Sequence, residues 1–358
     1  MSGKPIKPVI LGCAGESFTA EERQLIADQN PFGFILFRRN CIDPDQVKKL
    51  TAEFRALVER ADAPVLIDQE GGRVARLREP QWREFPAAAS FGTYAATHND
   101  GPEMAYTAGA LMGAQCRELG ITVNCAPMID LPAADAHSGV IGNRAFADSA
   151  ERIAQLANQY AKGLMQAGVL PVIKHIPGHG RATADSHEEL PVVKASRAEL
   201  EQSDFLLFKD LSHLPLAMTA HILYPVLDAD RPATQSPTII RDIVRDYIGF
   251  GGLLIADTLE MKALSGSLAD KCRVTLAAGC DVVLYCPGDS AGNREVLEAA
   301  PAMTDNALAR WRRALTFLPP STAIYARFDQ DSYQNLIDRV IGVSEEPAAQ
   351  ADSIVAHL

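Results

Sequence analysis

Apolar residues in this chain gather in short β-type runs separated by longer stretches with helical spacing. The runs fall at 8–11, 34–37, 64–67, 122–125, 170–173, 216–219, 252–256 and 281–285. Between them the helix punctuation is orderly. Asp43 and Pro44 supply an N-cap and a first-turn proline, and Val47, Leu50, Phe54, Leu57 and Val58 follow on one face. Thr19 and Glu22 form a capping-box pattern, while Gly120 and Gly168 stand where two long amphipathic segments should stop. Parallel strands need a crossover before their neighbour, so about eight such units predict an α/β fold, a closed (β/α)8 barrel of the TIM type. A doubly wound open sheet is the runner-up. No Pro/Gly/Ser-rich linker separates two cores, and the tail after Pro319 reads as extra C-terminal helices. The expectation is therefore a single barrel over residues 1–358.

Composition narrows the class. With 358 residues, 47% apolar and 22% charged, the chain can bury a sizeable core, which sets aside disordered and fibrous proteins. The N-terminal segment lacks the charged, apolar and cleavage regions of a signal peptide, and no run approaches the roughly 20 apolar residues of a spanning helix. An unanchored cytoplasmic protein is expected, with no membrane partner. The seven cysteines form no Cys-x-x-Cys pair, so buried free thiols are expected rather than zinc or redox sites. A net charge of −11 opposes binding to nucleic acid, and Arg310, Arg312 and Arg313 read as one solvated helix face. With no heptad repeat, a monomer is the default.

In barrels of this type the residues just beyond the strand C-termini form the active site. Here those positions are polar: Asp68, Gln69 and Glu70 after strand three, Lys174 and His175 after strand five, His221 after strand six and Asp257 after strand seven. A single Asp at a strand end is commonly a helix cap, but several ionisable groups on one rim cannot all be caps. Asp257, ending the run Leu253 to Ala256, is the candidate nucleophile. The segment from Lys174 to His187 holds three of the eight histidines on a Pro/Gly loop that could move over a pocket. Its Asp185-Ser186-His187 spacing would let a carboxylate orient an imidazole whose ordinary pKa, about 6.5, suits proton transfer. Glu188 and Glu189 are fallback acids. Trp82, Trp311, Met218 and Met261 are expected to pack, and Arg38 and Arg39 to lie on a solvated loop.

These residues resemble glycoside hydrolase family 3, in particular bacterial β-N-acetylglucosaminidases of peptidoglycan recycling. The resemblance covers most of the chain and rests on 33–40, 67–74, 142–146 and above all Lys174-His175-Ile176-Pro177-Gly178-His179-Gly180 with Asp185-Ser186-His187. It implies a retaining exo-enzyme acting on terminal β-linked N-acetylglucosamine in muropeptide fragments. Asp257 would be its nucleophile and His187, backed by Asp185, its acid/base. It further implies that Asp68, Arg76, Arg144, Lys174 and His175 hold the sugar hydroxyls, with no cofactor and no metal. Two positions depart from the family pattern, Thr258 in place of a second Asp and Ile176 in place of an aromatic. The second α/β domain of many members is not expected, which fits an acid carried on a loop.

Competing readings stay open on residues alone. A metal-dependent barrel hydrolase could use His175, His179, His187 and His221, although they lack the spacing of a preformed site. A sugar phosphorylase would use phosphate where the hydrolase uses water. A non-catalytic sugar-binding protein is disfavoured by the presence of Asp257, Asp185 and His187 together.

Overall fold

Eight parallel strands pair in chain order and close on themselves, β1 with both β2 and β8, so the architecture is the expected closed barrel and not the open sheet. The computed structural model describes residues 4–133, 140–182, 184–186, 188–320 and 327–342. The strands are β1 Lys7–Leu11, β2 Pro31–Leu36, β3 Val65–Ile67, β4 Val123–Asn124, β5 Leu170–Ile176, β6 Leu216–Thr219, β7 Leu253–Thr258 and β8 Val282–Tyr285. The helices around them are α1 Ala20–Gln29, α2 Pro44–Leu57, α3 Ala88–Ala95, α4 Gly101–Glu118, α5 Ala150–Gln166, α6 Arg197–Gln202, α7 Asp204–Asp210, α8 Leu268–Ala278, α9 Ser290–Ala299, α10 Asp305–Leu315 and α11 Gln330–Ile341. A π-helical segment, Ile239–Tyr247, takes the place of an α-helix between β6 and β7. No helix of the described residues is long and apolar enough to cross a membrane.

The continuous apolar runs follow from burial on both faces of the sheet. Ile10, Ile35, Leu66, Val172, Met218 and Ile255 belong to the core inside the barrel, while their neighbours Val9, Phe34, Val65, Ile173, Ala217 and Leu254 pack outward against the helices. The predicted punctuation is present. The Asp43 side chain accepts from the Gln46 N–H with Pro44 beginning α2, and Thr19 and Glu22 complete a reciprocal capping box on α1. All seven cysteines are free and buried.

Two strands run further than their apolar runs. The polar residues Lys174 and His175 continue β5, and Asp257 continues β7, because pairing resumes beyond them, Ile176 with Thr219 and Thr258 with Leu284. Both strands change register there, between Lys174 and Ile176 and between Ile255 and Thr258, as irregularities at barrel rims commonly re-aim side chains.

The opposite end is closed by α10. Trp311 packs edge-on against Phe32, near the start of β2, with ring centroids 5.1 Å apart, and Met303, Ala307 and Ala314 join the core inside the barrel. This corrects the expectation of one solvated arginine face. Arg312 and Arg313 are exposed, but Arg310 reaches back 2.6 Å to the buried carboxylate of Asp281, which also meets Arg245 at 2.8 Å. Helix α11 packs on α3 and α4, with Leu336 and Val340 fully buried and the Tyr333 hydroxyl donating to the Glu84 carbonyl at 2.6 Å.

Candidate active site

The strand-end rim surrounds a cavity open to solvent, lined by charged and apolar side chains. Asp68, Arg76, Arg144, Lys174, His175, Asp185 and Asp257 all line it. His187 lies outside the described residues. Seven residues chosen from the sequence, carried by the segments after β3 and β4, by β5 and the loop beyond it, and by β7, thus meet at one place.

The turn after β3 is held by a buried amide pair. Gln69 N–H donates to Asn124 Oδ1 at 3.0 Å and Asn124 Nδ2 donates to the Gln69 carbonyl at 2.8 Å. The Gln69 side chain accepts from the N–H groups of Arg76 and Leu77 at 2.7 and 3.0 Å, which draws Arg76 back over the rim. Gly71 has φ +100°, and a Cβ there would lie 2.3 Å from the Pro86 carbonyl oxygen, so the turn admits only glycine at that point.

This turn presents two carboxylates to three cations. Lys174 Nζ lies 2.9 Å from Asp68 and 2.7 Å from Glu70, Arg144 grips Glu70 through two bonds of 2.8 Å, and Arg76 approaches Asp68 at 3.5 Å. Burial alone would raise the Glu70 carboxyl, but Arg144 and Lys174 outweigh it and hold the group well below the usual carboxylate range. Asp68 is likewise lowered by Lys174 and Arg76 against its burial. The same pairs raise Lys174 and Arg144 despite burial, so the network is fully ionised at neutral pH. Fixed charged donors and acceptors of this kind orient a polyhydroxyl ligand without rearranging.

His175 is locked by Asp130, a fully buried residue beyond β4. Its carboxylate accepts from His175 Nδ1 at 2.7 Å and from the His175 and His179 backbone N–H groups, the latter at 2.6 Å. With Nδ1 so engaged, Nε2 is the ring nitrogen left for a ligand. Burial, then the neighbouring His175, push His179 down to about 4, so it is a neutral imidazole on the cavity wall. The loop beyond β5 is braced where Gly180 meets the strand-four loop. The Ala133 N–H donates to the Gly180 carbonyl at 2.9 Å, and a Cβ on Gly180 would lie 1.7 Å from the Leu131 oxygen. Farther along, the Ala263 N–H donates to the Ser186 carbonyl at 3.2 Å, tying this loop to the segment after β7.

Asp257 is partly exposed on the cavity wall, and the Thr258 N–H donates to its Oδ1 at 2.8 Å. Cys286 also lines the cavity, but burial and the nearby Glu260 push its thiol far up, so it offers no thiolate at neutral pH. Among the described residues no group of three or more His, Cys, Asp or Glu side chains could hold a metal ion.

Sequence reasoning missed Glu70 as the hub of the ion pairs and Asp130 as the partner of His175. Asp130 carried the available signal, an acidic residue ending the apolar stretch Met128-Ile129 beyond a strand. Met218 and Met261, expected only to pack, also face the cavity. Arg39 is not solvated, since its Nε donates to the Cys13 carbonyl at 3.0 Å and it also bonds the Cys286 carbonyl.

A (β/α)8 barrel with carboxylates, cations and an oriented imidazole converging on one cavity at the strand C-termini defines the class, a barrel enzyme with its active site at that rim. Residues 8–334 match the glycosyl hydrolase family 3 N-terminal domain, and the chain belongs to that family and is a glycoside hydrolase. It is 40% identical over 301 residues to a β-hexosaminidase of Thioalkalivibrio sulfidiphilus, covering 82% of this chain and 85% of that one. A β-hexosaminidase of Methylococcus capsulatus is 36% identical over 341 residues, or 91% and 96% of the two chains. Among solved structures, native NagZ from Neisseria gonorrhoeae superposes with a TM-score of 0.83 at 30% identity, covering 96% of this chain and 99% of that one.

Proposed function

We propose that this protein is a retaining exo-β-N-acetylglucosaminidase. In this reading it removes terminal β-linked N-acetylglucosamine from muropeptide fragments in peptidoglycan recycling, as a monomeric cytoplasmic enzyme in which residues 1–358 form one catalytic barrel. The observation that carries the reading is the convergence of Asp257, Asp185, Asp68, Arg76, Arg144, Lys174 and His175 on one cavity. The similarity to β-hexosaminidases and to NagZ supports the choice of sugar.

In the mechanism, the ionised pairs around Asp68 and Glu70 and the Nε2 of His175 bind the sugar hydroxyls. Asp257 Oδ attacks the anomeric carbon as its bond to the leaving oxygen breaks, and His187, oriented by Asp185, transfers its proton to that oxygen. Water then attacks the same carbon, giving a proton to His187 and releasing the Asp257 carboxylate, so two inversions retain the configuration.

Release of the aryl group from a chromogenic N-acetyl-β-glucosaminide, beside the matching β-glucoside, tests this. Turnover of the acetamido sugar alone, indifferent to chelator and to phosphate, is expected. Phosphate-dependent release would make the reaction a phosphorolysis, and chelator sensitivity would make it metal-dependent. Asp257→Ala should abolish turnover in a folded protein. His187→Ala should slow poor leaving groups far more than activated aryl ones, because only the former need a proton. Equal losses on both would refute the acid role.

A further inference from the structure

His221 follows β6, is 1% exposed and does not line the cavity, so the mechanism above gives it no part. Its hydrogen bonds nevertheless lead to the nucleophile. Nε2 lies 3.0 Å from the carbonyl oxygen of Thr258, which can only accept, so Nε2 carries a proton. Nδ1 lies 2.8 Å from Thr234 Oγ1, which also contacts Thr219 Oγ1 at 2.8 Å and the Ala220 carbonyl at 2.9 Å. Burial lowers the His221 pKa and keeps the ring neutral, so Nδ1 accepts, and the Thr234 hydroxyl proton is shared between it and Ala220 while Thr219 donates to Thr234.

Thr258 is held from several sides. Its carbonyl accepts a hydrogen bond from His221 Nε2–H, its hydroxyl donates to the Glu260 carboxylate, and its N–H donates to Asp257 Oδ1. The ladder to β8 is interrupted after Ile255 and resumes at Thr258, opposite Leu284, so these contacts anchor the chain where pairing begins again, directly beside Asp257. The chain of bonds therefore runs from the buried hydroxyls of Thr219 and Thr234, through one imidazole tautomer, to the residue that orients the Asp257 carboxylate.

We infer that His221 is a positioning residue for the nucleophile, a neutral imidazole that sets the Thr258 backbone and through it the aim of Asp257. This rests on the assignment of Asp257 as nucleophile. An aim error of about an ångström can cost on the order of a hundredfold in rate, whereas binding of the sugar depends on groups elsewhere on the rim.

The test is steady-state kinetics on the chromogenic N-acetyl-β-glucosaminide, with thermal unfolding measured alongside. His221→Phe removes both ring nitrogens and should lower kcat by about 10- to 100-fold with KM changed less than about threefold. His221→Gln, which returns an N–H donor near the place of Nε2, should recover at least about fivefold of that loss. Thr234→Val, which removes only the hydroxyl facing Nδ1, should lower kcat by about three- to tenfold with KM unchanged, and it decides the matter if the Phe variant does not fold. A kcat within twofold of the parent in His221→Phe, or in Thr234→Val, would overturn the inference. So would losses that track stability and are no smaller in His221→Gln. An active Asp257→Ala protein would overturn the nucleophile assignment and this inference together. An inactive Asp257→Ala beside a fully active His221→Phe overturns the positioning role alone.

Discussion

Replacing Glu70 by Gln keeps the shape of the side chain and removes one charge from the centre of the ion-pair network. Before the change, Asp68 and Glu70 face Lys174, Arg144 and Arg76; afterwards three buried or nearly buried cations share one carboxylate. Breaking a buried pair from one side costs about 3–5 kcal/mol, since the remaining charge is left without compensation. At about 2.1 cal/mol/K per residue, a 358-residue chain has an unfolding entropy of roughly 0.75 kcal/mol/K, so Tm should fall by about 4–7 °C at neutral pH. Acid adds a second signature. Because the folded Glu70 carboxyl sits below its unfolded value of about 4.3, its contribution is complete above that pH and is lost as pH falls toward the folded value. The gap between parent and variant should therefore be flat from pH 8 to 5 and narrower by about 1 kcal/mol at pH 3.5. Circular dichroism melts at those pH values measure both. A gap below 1 °C at pH 7, or one that does not narrow in acid, would refute the account of Glu70 as the hub.

Gly180→Ala would put a methyl group 1.7 Å from the Leu131 carbonyl oxygen, so the loop beyond β5 must move; kcat/KM should fall at least about tenfold, with a smaller change in Tm than for Glu70→Gln. Asp281→Asn weakens the bonds to Arg245 and Arg310 at the far end of the barrel, and should destabilise by about 2–4 kcal/mol while kcat and KM at 25 °C stay within twofold.

All eight strands were legible because each is a short apolar run buried on both faces and bounded by clear helix signals. What ran past the pattern did so for a physical reason. Lys174, His175 and Asp257 are polar yet belong to strands, since backbone pairing is indifferent to side-chain polarity where the rim supplies partners. Asp68, Lys174, His175 and Asp257 were legible as polar interruptions after strands and Asp185 as part of a loop spacing, whereas Arg76 and Arg144 came only from the family resemblance. The supports of these groups were not legible: Asp130 and Glu70 matter through contacts with segments distant in sequence, His175 and Arg144, and no local pattern reports such a contact. Arg310 and Arg39 misled for the converse reason, as a charged residue beside other charges looks solvated until its buried partner, Asp281 or a row of carbonyls, is known.

Helix α10 stoppers the barrel at the end where the strands begin. Whatever enters the cavity at the rim must leave by that rim, so incoming substrate and outgoing sugar use the same doorway in turn. Traffic of that kind predicts that the released sugar competes directly with substrate, raising apparent KM and leaving the maximal rate untouched.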